Sequence, residues 1–308
     1  MTITRRRLGA LAAAATVTTS ERLTVLLDWF INPDHAPLLV ARATGAFARA
    51  GLAVELVPPA DATMGPKLVA AGHGDITLTD QPHFHEQIAG GLSLLRIGAL
   101  IDRPLSTLTA LRPSGIKTLA DLRGRRIGHG SGDAEQAMVG AMLATAGLKL
   151  SDVQLVNVGE QLAVALLTRQ VDAVTVYRNF EIPELREQGA DPVCFDYETH
   201  GVPWFDEMIF VTRADRAGDP QLKRFLAAVR AGAAALRADP LAAWRACIAA
   251  DPDLDTPLNR VAWSATLPFF AAEPASLDPA RYERFAAFLV QAGVISEAPP
   301  VGVYARAI

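Results

Sequence analysis

Four clusters along the chain gather the residue types that hold small polar molecules. Asp28-Trp29-Phe30 leads to Asn32, Asp34 and His35, and Asp80-Gln81-Pro82-His83 leads to His85. His129-Gly130-Ser131-Gly132-Asp133 opens a helical pattern, and Tyr177-Arg178-Asn179-Phe180 precedes Glu181. Rings cover the faces of a flat ligand while amides and carboxylates fix its edge, so together these describe a cleft for a small, flat, polar molecule. Each cluster also has a plainer reading. Trp29 fits core packing at a strand end. Asn32 or Asp34 fits a helix cap, and Glu181 fits a surface pair with Arg178. His83 and His85 diverge on either a strand or a helix, and no metal-binding spacing occurs.

The loop GHGSGD before the third cluster's helix is neither a dinucleotide fingerprint nor a P-loop. Its backbone N–H groups could cradle an anion, but Asp133 at the helix start would repel phosphate or sulfonate. A neutral or weakly basic ligand that donates hydrogen bonds suits it better. Catalytic signatures are missing: there is no GxSxG elbow and no cysteine with a base nearby in sequence. Asp206-Glu207 is a pair of acids that nothing else marks as a couple. The chain reads as a binding protein that closes on a hinge.

The elements that must carry these clusters alternate. Strands read over 23–27, 52–57, 75–79 and 92–100, with helices over 37–49, 64–71 and 83–89 between them. The grammar restarts after Ser114: strands over 126–128, 153–158 and 172–177, helices over 135–146 and 163–169. Strand–helix alternation implies βαβ units and mainly parallel sheets. Ligands bind such sheets outside the carboxyl ends of the strands, where all four clusters fall. Alanine-rich helices over 221–238, 241–249 and 280–292, broken at Asp-Pro and Glu-Pro, pack back onto the first lobe. The expectation is an α/β protein of two lobes with the cleft between them: residues 21–103 plus 207–308, and residues 104–206.

The chain has 308 residues, 50% hydrophobic and 20% charged, with net charge −4. That balance gives no reason to bind nucleic acid, and two cysteines, Cys194 and Cys247, exclude a disulfide scaffold. No apolar run reaches the roughly 18 residues of a membrane span. Arg5-Arg6-Arg7 followed by LGALAAAATV reads as an export signal over residues 1–20, of twin-arginine kind. Losing residues 1–15 removes three arginines and no acid, so the charge moves from −4 to −7.

LDWFINPDHAPLLVA, GDITLTDQPHFHEQ, LRGRRIGHGSGDAEQAMVGAML, VDAVTVYRNFEIPEL and HGVPWFDEMIFV resemble the thiamine-pyrimidine-precursor binding proteins of ABC importers. That group includes the fungal hydroxymethylpyrimidine phosphate synthase and, more distantly, sulfonate and nitrate binding proteins. The resemblance spans roughly residues 22–295. It implies the two-lobed periplasmic binding fold, with crossovers near Pro104–Leu111 and Glu207–Thr212, and a 4-aminopyrimidine ligand. Its stacking aromatics fall on Trp29 and Tyr177, and its polar recognition residues on Asn32, Asn179 and Glu181. The candidate ligand-binding set is Asp28, Trp29, Asn32, His35, Gln81, His83, Ser131, Asp133, Tyr177, Asn179 and Glu181.

The synthase branch would need a lysine for pyridoxal phosphate and a cysteine-rich iron motif. The lysine's position falls on Thr79, the synthase's histidine falls on His83, and GVPWFD over 201–206 holds no cysteine. The resemblance therefore implies no catalysis, no cofactor and no metal. It implies a periplasmic monomer that delivers its ligand to an ABC permease. A sulfonate or other organic anion is the alternative cargo, and a synthase-like enzyme the alternative activity.

Overall fold

The computed structural model describes residues 20–61, 63–130, 132–159 and 161–308, so the basic leader and Ser131 lie outside the described residues. The strands are β1 (Glu21–Leu26), β2 (Leu52–Val57), β3 (Ile76–Thr79), β4 (Leu94–Ile101), β5 (Ser106–Leu111), β6 (Arg126–His129), β7 (Gln154–Asn157), β8 (Ala173–Tyr177), β9 (Pro192–Asp196) and β10 (Met208–Arg213). They form two five-stranded sheets, ordered β2-β1-β3-β10-β4 and β7-β6-β8-β5-β9.

Each sheet is parallel except for one strand. β10 runs antiparallel to β3 and β4, and β5 runs antiparallel to β8 and β9. These two arrive from the other lobe, so they enter their sheet from the cleft side and run backwards. The segments that the resemblance marks as crossovers are therefore largely these reversed strands; the crossings themselves are residues 102–105 and 203–207. The polypeptide passes twice between the lobes, and the cleft lies at those passages.

The helices are α1 (Ala36–Ala43), α2 (Ala46–Arg49), α3 (Gly65–Ala70), α4 (Gln81–Ala89), α5 (Asp133–Thr145), α6 (Leu162–Leu167), α7 (Glu181–Glu187), α8 (Pro220–Ala238), α9 (Pro240–Ala250), α10 (Pro257–Thr266), α11 (Pro279–Gln291) and α12 (Val301–Tyr304). α8, α9, α10 and α11 share one start: Asp219, Asp239, Thr256 and Asp278 cap the next backbone N–H groups and a proline occupies the first turn. The cap satisfies an otherwise orphaned donor, and proline loses nothing where no acceptor exists. α8 lies against α1 so closely that a Cβ on Gly232 would sit 2.2 Å from the Pro37 carbonyl, which requires glycine there.

α11 departs from the expected packing. Its Tyr282 joins the first lobe's core, while Phe285 and Leu289 join the core of the second with Leu108, Ile127 and Met142. The helix spans both lobes. Cys194 is exposed and Cys247 buried, and both are free thiols.

Candidate functional site: an acidic cleft between the lobes

A cleft of about 650 Å³ opens between the two sheets. Asp28 and Trp29 follow β1, Thr79 ends β3, Asp80, Pro82 and His83 start α4, and Tyr177 and Glu181 bracket the turn after β8. The strand carboxyl ends thus supply its walls, as parallel sheets dictate. Glu135, Thr175, Tyr197, Phe205, Ser106 and Glu207 complete the lining.

Glu181 is the first residue of α7 and only 6% exposed. Its Oε2 accepts the Tyr177 N–H at 2.9 Å, which leaves Oε1 available to a ligand. Burial pushes its carboxyl up to about 8, against the partial relief of that hydrogen bond, and Asp34 adds to the rise. Glu207 accepts the Leu105 and Ser106 N–H groups at 2.6 and 3.2 Å, and burial still pushes it up to about 7. Burial also raises Glu135, although Thr175 and Gly130 donate to it. Burial works against the Asp80 charge as well, yet the His83 ring, with Nδ1 2.6 Å from Asp80 Oδ2, holds that carboxyl below its usual value. Among the described lining residues there is neither lysine nor arginine. The cleft is rich in acceptors and carries no positive counter-charge from Lys or Arg, so it suits donors and cations and disfavours anions.

Of the candidate residues, Asp28, Trp29, His83, Tyr177 and Glu181 line the cleft. Asn32, His35, Gln81 and Asn179 are buried behind its walls, and Ser131 lies outside the described residues. Asn32 is 1% exposed and caps the turn over Pro33–His35, its Oδ1 accepting the Asp34 N–H at 2.7 Å. His35 is fully buried with Nε2 2.9 Å from Asp28 Oδ1, so it orients that carboxylate. Gln81 grips the returning crossing: its Oε1 accepts the Asp206 N–H at 2.9 Å, and its own N–H donates to the Asp206 carbonyl at 3.1 Å. Asp133 is the first residue of α5 and is exposed; the Ala134 N–H there donates to another carboxylate, Glu86, which reaches from α4 in the other lobe at 2.8 Å. Arg178 pairs with Glu198 at 2.8 Å, not with Glu181.

Asp80, Glu135, Tyr197 and Glu207 line the cleft but stand outside the candidate set, although Asp80 belongs to the second cluster. An Asp one residue before Gln-Pro-His carried a capping signal for Asp80. Nothing local marked Glu207, whose partners lie 102 and 101 positions away.

Hydrogen bonds also join the lobes on both sides of the cleft. One is the Glu86–Ala134 bond, where Gly132 lies so close to His83 that a Cβ would sit 2.7 Å from Nε2. On the other side Asn179 Nδ2 donates to Asp34 Oδ1 and, at 2.8 Å, to Thr266 Oγ1. Phe180 sits beside it, 6.1 Å from the Trp29 ring and 5.8 Å from Phe30. Asn179→Ala removes this latch and leaves Asp34 with fewer donors. A hydrogen bond to a charged group contributes about 1.5–3 kcal/mol, so the variant should release a bound ligand at least about tenfold faster. Stopped-flow displacement reads that rate, and an unchanged rate would mean that the latch does not hold the closed form.

Two lobes, one reversed strand in each sheet and a cleft between them make the fold that of the periplasmic binding proteins. The alkanesulfonate-binding protein of Xanthomonas axonopodis pv. citri, solved bound to MOPS, superposes with a TM-score of 0.75 at 16% identity over 93% of this chain and 98% of that one. The family described as NMT1/THI5 like matches residues 32–243, and the chain belongs to it. A Haemophilus influenzae protein named for thiamine biosynthesis is 41% identical over 92% of this chain and 91% of its own. A 4-amino-5-hydroxymethyl-2-methylpyrimidine phosphate synthase of Legionella pneumophila is 29% identical, covering 84% of this chain and 83% of its own. The formylaminopyrimidine-binding protein of Halalkalibacterium halodurans is 30% identical over 62% of this chain and 58% of its own.

The cleft does not fit a pyridoxal phosphate Schiff base. Thr79, on which the resemblance sets the synthase's lysine, lines the cleft. All four lysines, Lys67, Lys117, Lys149 and Lys223, are exposed, and none lines it. A cofactor phosphate would also face carboxylates with no arginine or lysine to meet it.

Proposed function

We propose that this chain is an exported solute-binding protein that captures a 4-aminopyrimidine thiamine precursor between its lobes and delivers it to an ABC permease. The observation that carries the reading is Glu181: a buried carboxyl that lines, together with Trp29 and Tyr177, a cleft with no lysine or arginine among its described lining residues. A carboxyl group facing a ring nitrogen and its neighbouring exocyclic amine makes two parallel hydrogen bonds, and the two rings supply the stacking faces. The relatives named for thiamine biosynthesis and for formylaminopyrimidine binding support the same cargo. The basic leader supports export, with a twin-arginine route as its finer form. The protein works as a monomer and turns over no substrate: the lysine and soft ligands that a synthase would need are replaced by Thr79 and by GVPWFD.

A thermal-melting panel of aminopyrimidines, thiamine, alkanesulfonates and nitrate tests this. A ligand at 100 times its dissociation constant stabilises by about 2.7 kcal/mol. Stabilisation by aminopyrimidines and not by sulfonates is expected. Stabilisation by sulfonates alone would overturn the cargo, and chemical conversion of a bound pyrimidine would overturn the non-catalytic reading.

A further inference from the structure

Recognition of an aminopyrimidine edge uses Glu181 and leaves a second acidic group in the same cleft without a task. Glu135 Oε1 takes the Gly130 N–H at 3.4 Å and the Thr175 hydroxyl, but among the described residues Oε2 meets only His129 Nδ1, 3.8 Å away. Glu207 Oε2 takes two backbone N–H groups, while Oε1 receives only the Ser106 hydroxyl among the described residues, at 3.2 Å. Tyr197 lines the cleft in the electrostatic reach of both carboxyls. It is 1% exposed, and its hydroxyl has no hydrogen-bond partner among the described residues. A buried hydroxyl left unpaired is unfavourable, so this one awaits a polar atom from a ligand.

We propose that Glu135, Glu207 and Tyr197 form a subsite for a primary ammonium group on the ligand, so that the cargo is a 4-aminopyrimidine with an aminomethyl-type substituent. This rests on the reading of the cleft as an aminopyrimidine site. An ammonium group has three donors and no acceptor, which matches two carboxylate oxygens and a phenol oxygen. A hydroxymethyl group has one donor and a formylated amine one, and neither brings charge. The cation also supplies the counter-charge that the lining lacks. Burial holds Glu135 above its usual value, with the His129 and His83 rings only partly offsetting it, and pushes Glu207 up to about 7.

Titration calorimetry of the purified protein with three probes tests the subsite: 4-amino-5-aminomethyl-2-methylpyrimidine, its N-formyl derivative and the 5-hydroxymethyl analogue. The aminomethyl compound is expected to bind at least tenfold more tightly than the other two. Tyr197→Phe and, separately, Glu135→Gln are expected to cut that ratio to about threefold or less, with circular dichroism and melting used to verify folding. Equal or tighter binding of the hydroxymethyl or formyl compound overturns the subsite and leaves the aminopyrimidine reading standing. A ratio that survives in both folded variants also overturns it. Failure of all three probes to bind overturns both readings.

Discussion

Replacing Glu181 by alanine is expected to weaken aminopyrimidine binding by on the order of 100-fold. Removing one partner of a buried, charge-assisted pair costs about 2–5 kcal/mol, and each 1.4 kcal/mol is tenfold. Glutamine should behave differently. The carboxyl and the ring nitrogen share one proton in the complex, and with Glu181 raised to about 8 the free cleft already holds that proton at neutral pH. An amide presents the same donor and acceptor as a carboxylic acid, so Glu181→Gln should keep affinity within about tenfold.

The sign of the pH dependence follows from the same shift. Below about 8 the free carboxyl is protonated and binding takes up no proton at this group. Above it the free protein has lost the proton and must regain it, so affinity falls by up to about tenfold per pH unit. Glu181→Gln should abolish that fall. Titration calorimetry from pH 6 to 10 on the three proteins reads both effects. An alanine variant within threefold of the parent, or a glutamine variant as weak as alanine, would remove Glu181 from the recognition edge.

The largest loss of stability is expected at Asp206. Its side chain is 4% exposed and accepts from Tyr282 Oη at 2.8 Å, from Arg96 Nη2 at 3.3 Å and from Arg281 Nη1. Arg96 is itself 2% exposed, and its Nη1 already lacks a partner among the described residues. Asp206→Ala therefore leaves a buried guanidinium with little more than the Tyr282 oxygen, 3.0 Å from its Nε. Breaking a buried ion pair from one side costs about 3–5 kcal/mol, because the remaining charge stays desolvated. Asp191→Ala, which breaks the exposed pair with Arg112, should leave the urea midpoint where it was. A loss at Asp206 under about 1 kcal/mol would mean that Arg96 is neutralised by another acceptor. The site would also feel the change, since Asp206 is clasped by Gln81 and adjoins Glu207.

Local signals carried much of the fold in the sequence itself. β2 lies over Leu52–Val57 as its apolar pattern and the Pro58-Pro59 stop require, and Asp-Pro starts α8, α9 and α11. Caps, proline positions and strand periodicity act within a few residues and need no partner elsewhere. The same locality put Trp29, Tyr177 and Glu181 at strand ends, where parallel sheets leave room for a ligand. Side chains facing the cleft could not be told from those turned inward, because Asn32, His35 and Asn179 share those loops, yet Asn32 caps a turn, His35 holds Asp28 and the Asn179 amide nitrogen makes the latch. Tertiary structure alone decided that. It also brought Glu207 beside β5, placed Glu86 on the start of α5 and set α11 across both lobes, each a contact between segments far apart in the chain. A side chain's role there depends on which donors the crossings bring to it, and no pattern of neighbouring residues encodes that.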